Sequence, residues 1–143
     1  MWGGGLVSES LWMATLEMIA VPGNYTDIPG HEELALMVAM MKKNDLSGMP
    51  AYVIRDGNRV VAIGIVDPDG YSLYAKLWCM EVAPEYRHRG YGSMILRKIL
   101  NEYDDVKLVA KRDAFPFYKR AGFVFEKGDP DPKSNVGYMI SRA

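Results

Sequence analysis

The sequence predicts a single mixed α/β (α+β) domain over residues 1–143, a mostly antiparallel twisted sheet with helices packed on it. Three observations carry this. Residues 51–82 are rich in β-branched and aromatic residues, broken only by tight Asp/Gly turns. Residues 82–103 run from a strand through a glycine-bearing turn into an amphipathic helix, and the chain closes on two more β-rich runs.

Residues 1–13 open on Gly3-Gly4-Gly5, a flexible stretch, and Leu11-Trp12-Met13 suits the start of a strand or of a helix. Leu16 to Val21, ahead of Pro22-Gly23, reads as a short strand, with a helix from Ser8 to Ala20 as the competing assignment. His31 to Lys43 places Leu34, Met37, Val38 and Met41 on one helical face, with acids at its start and Lys42-Lys43 at its end to suit the helix dipole. Ala51–Arg55 and Arg59–Val66 flank Asp56-Gly57-Asn58, a hairpin signature because Gly and Asn tolerate positive φ. Asp67-Pro68-Asp69-Gly70 reads as a second turn, leading into a strand from Tyr71 to Val82 that Pro84 ends. Three consecutive antiparallel strands are implied. Tyr91 to Tyr103 is a helix burying Ile95, Ile99 and Tyr103; a strand at Val106–Ala110 and a short helix at Ala114–Ala121 follow. Phe123–Glu126 and Val136–Ser141 are the last strands.

The 143 residues, 49% hydrophobic, are enough for one core and too few for two. No apolar run is long enough to span a membrane, and the start lacks the pattern of a signal peptide, so a cytoplasmic protein without a membrane partner is expected. The single cysteine, Cys79, has no partner for an internal disulfide, and with only His31 and His88 no metal-ligand spacing exists, so no metal is expected. The net charge of −1 gives no global pull toward nucleic acid, and no RNA-recognition aromatic motif is present. Charge is nevertheless uneven: residues 87–120 carry +5 and the remainder −6. Solvated helix faces account for such segregation more readily than an anion site does.

The chemistry gathers at Arg87-His88-Arg89-Gly90-Tyr91-Gly92-Ser93. The first N–H groups of the helix that begins there have no internal partner and lie at the positive end of its dipole, so they favour phosphate. Gly90 and Gly92 allow close approach, Arg87 and Arg89 add charge, and Lys111 is placed to supplement it. A turn that simply caps a helix would look the same. A nicotinamide loop would need glycine where Ile95 stands, and no Gly-x-x-x-x-Gly-Lys-Ser/Thr run exists.

This segment resembles the GNAT superfamily of N-acetyltransferases, whose Gln/Arg-x-x-Gly-x-Gly/Ala motif matches Arg87 to Gly92 behind the usual Val-x-Pro at Val82-Ala83-Pro84. A second signature, roughly Ala-x-x-Phe/Leu-Tyr-x-x-x-Gly-Phe, is similar to Ala114-Phe115-Pro116-Phe117-Tyr118-Lys119-Arg120-Ala121-Gly122-Phe123. The resemblance covers about residues 50–127. It implies a sheet of six to seven strands splayed at the cofactor-binding strand, with acetyl-CoA as acyl donor. Its pantetheine arm would lie along Met80 and Val82, the Met80 N–H would face the thioester carbonyl, Arg87 to Ser93 would hold the pyrophosphate, and Phe117 would line the donor site. Tyr118 matches the family tyrosine beside the departing sulfur. A phenol near pKa ~10 is a weaker acid than a thiol near ~8.5, so full transfer to thiolate is uphill by roughly 2 kcal/mol. Tyr118 is therefore expected to donate a hydrogen bond to the sulfur, unless its pKa is lowered.

An alkyl ammonium acceptor must lose a proton before attack. Related enzymes often carry an acid or histidine on the strand face of Lys76, Trp78 and Met80, and this sequence has none there. Glu81, the nearest acid, has the opposite parity unless a bulge re-aims it. It stands as the candidate base beside water or an acid such as Glu32 or Glu33. The family's frequent Asn before the tyrosine is also absent, with Lys111 near its place. Tyr74, Lys76 and Trp78 are candidate acceptor contacts, although strand aromatics commonly fill cores. The expected activity is direct acetyl transfer to a primary amine of a small molecule, peptide or protein. The alternative is a non-catalytic acyl-CoA-binding module, and a homodimer is left open.

Overall fold

The computed structural model describes residues 15–71 and 73–141. The features expected in residues 1–13 lie outside them. The strands are β1 (Thr15–Ala20), β2 (Pro50–Asp56), β3 (Arg59–Tyr71), β4 (Tyr74–Val82), β5 (Val106–Lys111), β6 (Phe123–Phe125) and β7 (Val136–Ser141). They form one seven-stranded sheet in the order β1-β2-β3-β4-β5-β7-β6, antiparallel throughout except between β4 and β5. Among the described residues, three helices, α1 (Ala35–Lys43), α2 (Tyr91–Glu102) and α3 (Phe115–Arg120), complete the predicted α+β fold. The one parallel pair arises where α2 carries the chain from β4 across to β5.

Two elements differ from the sequence expectation. The helix expected over His31–Lys43 is divided into a 3-10 turn at His31–Glu33 and α1, because buried Leu34 sits at φ −119°, ψ 63° between them. The turn expected at Asp67–Gly70 is absorbed into β3, which pairs with β4 as far as Tyr71↔Tyr74 but with a shifted register from Asp67 onward. Pro68 cannot donate to a ladder, so the strand continues there only by distorting. At residues 15–20 the structure selects the strand over the competing helix.

A second register shift matters more. Glu81 pairs with Ile63 and Cys79 with Ile65, but Leu77 pairs with Val66 and Lys76 with Asp67. Trp78 is thus an extra residue on β4, a β-bulge. Cross-strand partners share a sheet face. Met80 and Val82 therefore share the face of Gly64 and Ala62, whereas Glu81, Cys79 and, beyond the bulge, Lys76 share the face of Ile63, Ile65 and Asp67.

Helix α2 covers the first of these faces. It buries Ile95, Leu96 and Ile99, and turns Lys98 and Glu102 outward as an i,i+4 ion pair at 3.0 Å. Gly64 admits this packing: a Cβ there would lie 2.7 Å from Ile95 Cγ2. Three buried aliphatic side chains contribute about 1.5–3 kcal/mol each. The buried Tyr52 hydroxyl donates to Glu102, fixing the helix's far end to β2. Helix α3 packs the same face farther along, with Phe115 against Gly137 and Phe125. Helix α1 covers the opposite face beside β4, tied there by Glu81.

Candidate active site

Parallel pairing of β4 with β5 runs only from Ala75↔Val106 to Leu77↔Leu108. Beyond Leu77 the two strands part, and β5 continues against β7 alone. Ala83 donates its N–H to Val61 on β3 at 2.8 Å. By the alternation of an antiparallel ladder, the backbone groups of Val82 and Met80 face the other way, into the opening. The result is a V-shaped gap with a strand edge on one wall, able to pair with an extended, amide-bearing chain.

At the wide end of the gap stands the glycine turn. Pro84–Tyr86 forms a 3-10 turn, His88 takes φ 64°, and Gly90 caps α2 at φ 85°. No side chain caps this helix, whose first internal bond runs from Met94 N–H to the Gly90 carbonyl. The N–H groups of Tyr91, Gly92 and Ser93 therefore remain for a ligand. Arg87 Nε donates to the Val82 carbonyl at 3.1 Å, tying the turn to the strand end. Arg89 lies over the Tyr86 ring at 4.9 Å; Tyr86 stacks on Tyr91 and hydrogen-bonds Asp56. Among the described residues neither arginine is ion-paired, so both charges are available to an anion.

Helix α3 closes the gap from the side. Phe117 packs on Gly92, where an added Cβ would lie 3.4 Å from the ring and 3.7 Å from Val82. Tyr118 is 7% exposed, held edge-on between Phe117 and Phe123. Burial raises its hydroxyl above the ordinary phenol range, and nearby Cys79 adds to this. Burial likewise raises the Cys79 thiol, which stays protonated and unsuited to nucleophilic attack.

On the opposite face, both Glu81 carboxylate oxygens accept hydrogen bonds from the start of α1, from Leu36 N–H at 3.1 Å and Met37 N–H at 2.8 Å. Helix α1 has no cap of its own, so the carboxylate supplies it from another strand. Toward the closed end of the V, Lys76 Nζ lies 3.4 Å from the Trp78 ring centre and 5.2 Å from that of Tyr71. Lys107 Nζ lies 4.2 Å from the Tyr74 ring centre.

Residues 48–125, more than half of the chain, match the acetyltransferase (GNAT) domain family. The chain belongs to the GNAT family. An uncharacterized N-acetyltransferase of Bacillus licheniformis is 30% identical over 112 residues, covering 70% of each protein. Among solved structures, the IAA acetyltransferase of Bacillus cereus superposes with a TM-score of 0.63 at 11% identity, covering 89% of this chain and 99% of its own. The PaiA N-acetyltransferase of Thermoplasma acidophilum, in complex with coenzyme A, gives 0.59 at 14% identity, covering 90% and 99%. Both show the fold.

Within this GNAT domain the structure gathers Met80, Val82, Arg87 to Ser93 and Phe117 around one opening, with Tyr118 beside it. Lys111 is not brought there: its register with Val136 puts it on the face away from α2. Met80 does not share a face with Lys76, as regular alternation predicts, because the Trp78 bulge intervenes. That same bulge puts Glu81 with Lys76, although not with Met80. The role of Glu81 as a helix cap left no trace in the sequence, since its partners are 44 and 45 residues away. A groove of about 330 Å³ beside Met41 to Ser47 lies at the other end of α1, remote from this chemistry. Among the described residues no cluster of His, Cys, Asp or Glu could hold a metal, and no helix is long and apolar enough to cross a membrane.

Proposed function

We propose that this GNAT domain transfers the acetyl group of acetyl-CoA directly to a primary amine. One observation carries the reading: the β4 edge at Met80–Val82, paired with no strand on that side and with Arg87 on its Val82 carbonyl, opens into a gap that ends at the uncapped N–H groups of α2. A pantetheine arm is an extended chain with two amides, and a pyrophosphate follows it. Both needs are met in that order along one wall.

In this reading Tyr91 to Ser93 N–H groups, with Arg87 and Arg89, bind the pyrophosphate, and the Val82 and Met80 backbone pairs with the pantetheine. The Met80 N–H stabilises charge growing on the thioester carbonyl oxygen as the amine nitrogen bonds to carbon. The carbon–sulfur bond then breaks. Tyr118, kept neutral by burial, donates a hydrogen bond to the departing thiolate; the ammonium loses one proton to water before attack, and the bonded nitrogen loses a second to water as the carbon–sulfur bond breaks. Glu81 serves as the anchor of α1, because both of its oxygens are already bonded there.

The same engagement of Glu81 favours a second reading, an acyl-CoA-binding module without turnover. Acetyl-CoA raises thermal stability in both. Release of free CoA with a panel of primary amines supports transfer; stabilisation without release with every amine supports the binding module.

A further inference from the structure

We infer that the acceptor amine also carries a carboxylate, bound by Lys76 and the indole N–H of Trp78. This rests on the transfer reading above and names the substrate class of that same site. Trp78 Nε1 is buried and, among the described residues, has no acceptor. Native proteins rarely leave a buried donor unmatched, and such a group calls for a missing partner. Directly over that indole sits Lys76, and among the described residues no carboxylate lies within 4.0 Å of its ammonium.

The neighbouring charges are already engaged. Lys107 is ion-paired to Glu126 at 2.7 Å, and Asp67, across from Lys76, accepts the Asp69 N–H at 3.0 Å. Burial pulls the Lys76 ammonium below the usual lysine range against the opposing field of Asp67. An arriving carboxylate would reverse that pull and accept the indole N–H with its second oxygen. A trapped water would satisfy the indole but bring the ammonium no charge beyond the more distant Asp67.

Position assigns this pair to the acceptor. The phosphates of an acyl-CoA have the Gly90 turn, beyond the opposite end of β4. Trp78 is the first residue past the point where β4 leaves β5, and Lys76 is still paired with Lys107, so the indole donor and the ammonium over its ring belong to the narrow end of the gap.

The test compares glycine, β-alanine and γ-aminobutyrate with their carboxamides and with aminoethyl phosphate, at saturating acetyl-CoA, in wild type, Trp78→Phe and Lys76→Gln. Expected is a preference of about tenfold or more in kcat/KM for at least one carboxylate over its amide, reduced in both variants. In parallel, the Trp78 indole resonance, assigned by its loss in Trp78→Phe, should shift when a carboxylate is titrated into the CoA-bound wild type. Transfer to amides and carboxylates at equal rates, with no indole shift, overturns the subsite and leaves the transfer reading standing. An indole shift without transfer to any amine overturns the transfer reading and leaves the carboxylate site. A stronger preference for aminoethyl phosphate than for every carboxylate overturns the carboxylate assignment.

Discussion

Glu81→Ala separates two roles that one carboxylate could hold. The side chain accepts from Leu36 and Met37 N–H at the start of α1, a helix with no cap of its own. Losing a capping side chain costs about 0.5–2 kcal/mol, and losing a negative charge at a helix N-terminus about 0.3–1 kcal/mol, so about 1–3 kcal/mol is expected. The effect reaches the core, because Leu34 and Met37 at this end of α1 are fully buried. For a domain of this size that corresponds to a fall in Tm of about 3–10 °C, read by thermal unfolding followed by circular dichroism. Glu81→Gln keeps a carbonyl acceptor but no charge, and should fall between wild type and Ala. A Tm unchanged within about 1 °C, together with a lost limb in the pH–rate profile, would refute the capping argument and make Glu81 the base.

Three further outcomes follow from the same geometry. Tyr118→Phe should lower kcat about 10–100-fold while acetyl-CoA binding, measured calorimetrically, stays within about twofold, as loss of one charge-assisted hydrogen bond predicts; equal turnover removes the hydroxyl from the mechanism. Gly90→Ala forces a side chain to φ 85° and should destabilise by about 1–2 kcal/mol while weakening acetyl-CoA binding; unchanged affinity would separate this turn from the donor. Burial raises Tyr118 and Tyr52 above the unfolded tyrosine value near ~10, so the stability tied to their neutral forms is complete below that pH and declines as pH rises through it. Denaturant midpoints should drop above about pH 10, and Tyr118→Phe should lessen the slope by up to about 1.4 kcal/mol per pH unit; an identical slope contradicts the burial argument.

The elements legible in the sequence were those with local signals. The Asp56-Gly57-Asn58 hairpin, the Ile95/Ile99 stripe of α2 and the Gly90 turn each declare themselves within a few residues, and each forms as expected. What stayed hidden depends on partners far along the chain. The Trp78 bulge is a mismatch between β3 and β4, so only the register with Ile65 and Val66 reveals it. Regular alternation therefore misassigned the shared face of Lys76 and Met80, and the split of the expected His31–Lys43 helix at Leu34 was equally invisible. Glu81 looked like an unemployed acid because the helix it caps lies about 45 residues upstream. The unmatched Trp78 indole is likewise a fact of packing.

The most direct measurement incubates the protein with acetyl-CoA and a primary-amine panel, counting free CoA and acetylated amine by mass spectrometry. An acetylated amine is expected, formed in step with CoA and about 10–100-fold more slowly in Tyr118→Phe. Binding of acetyl-CoA with neither product, for every amine offered, would contradict the transfer reading.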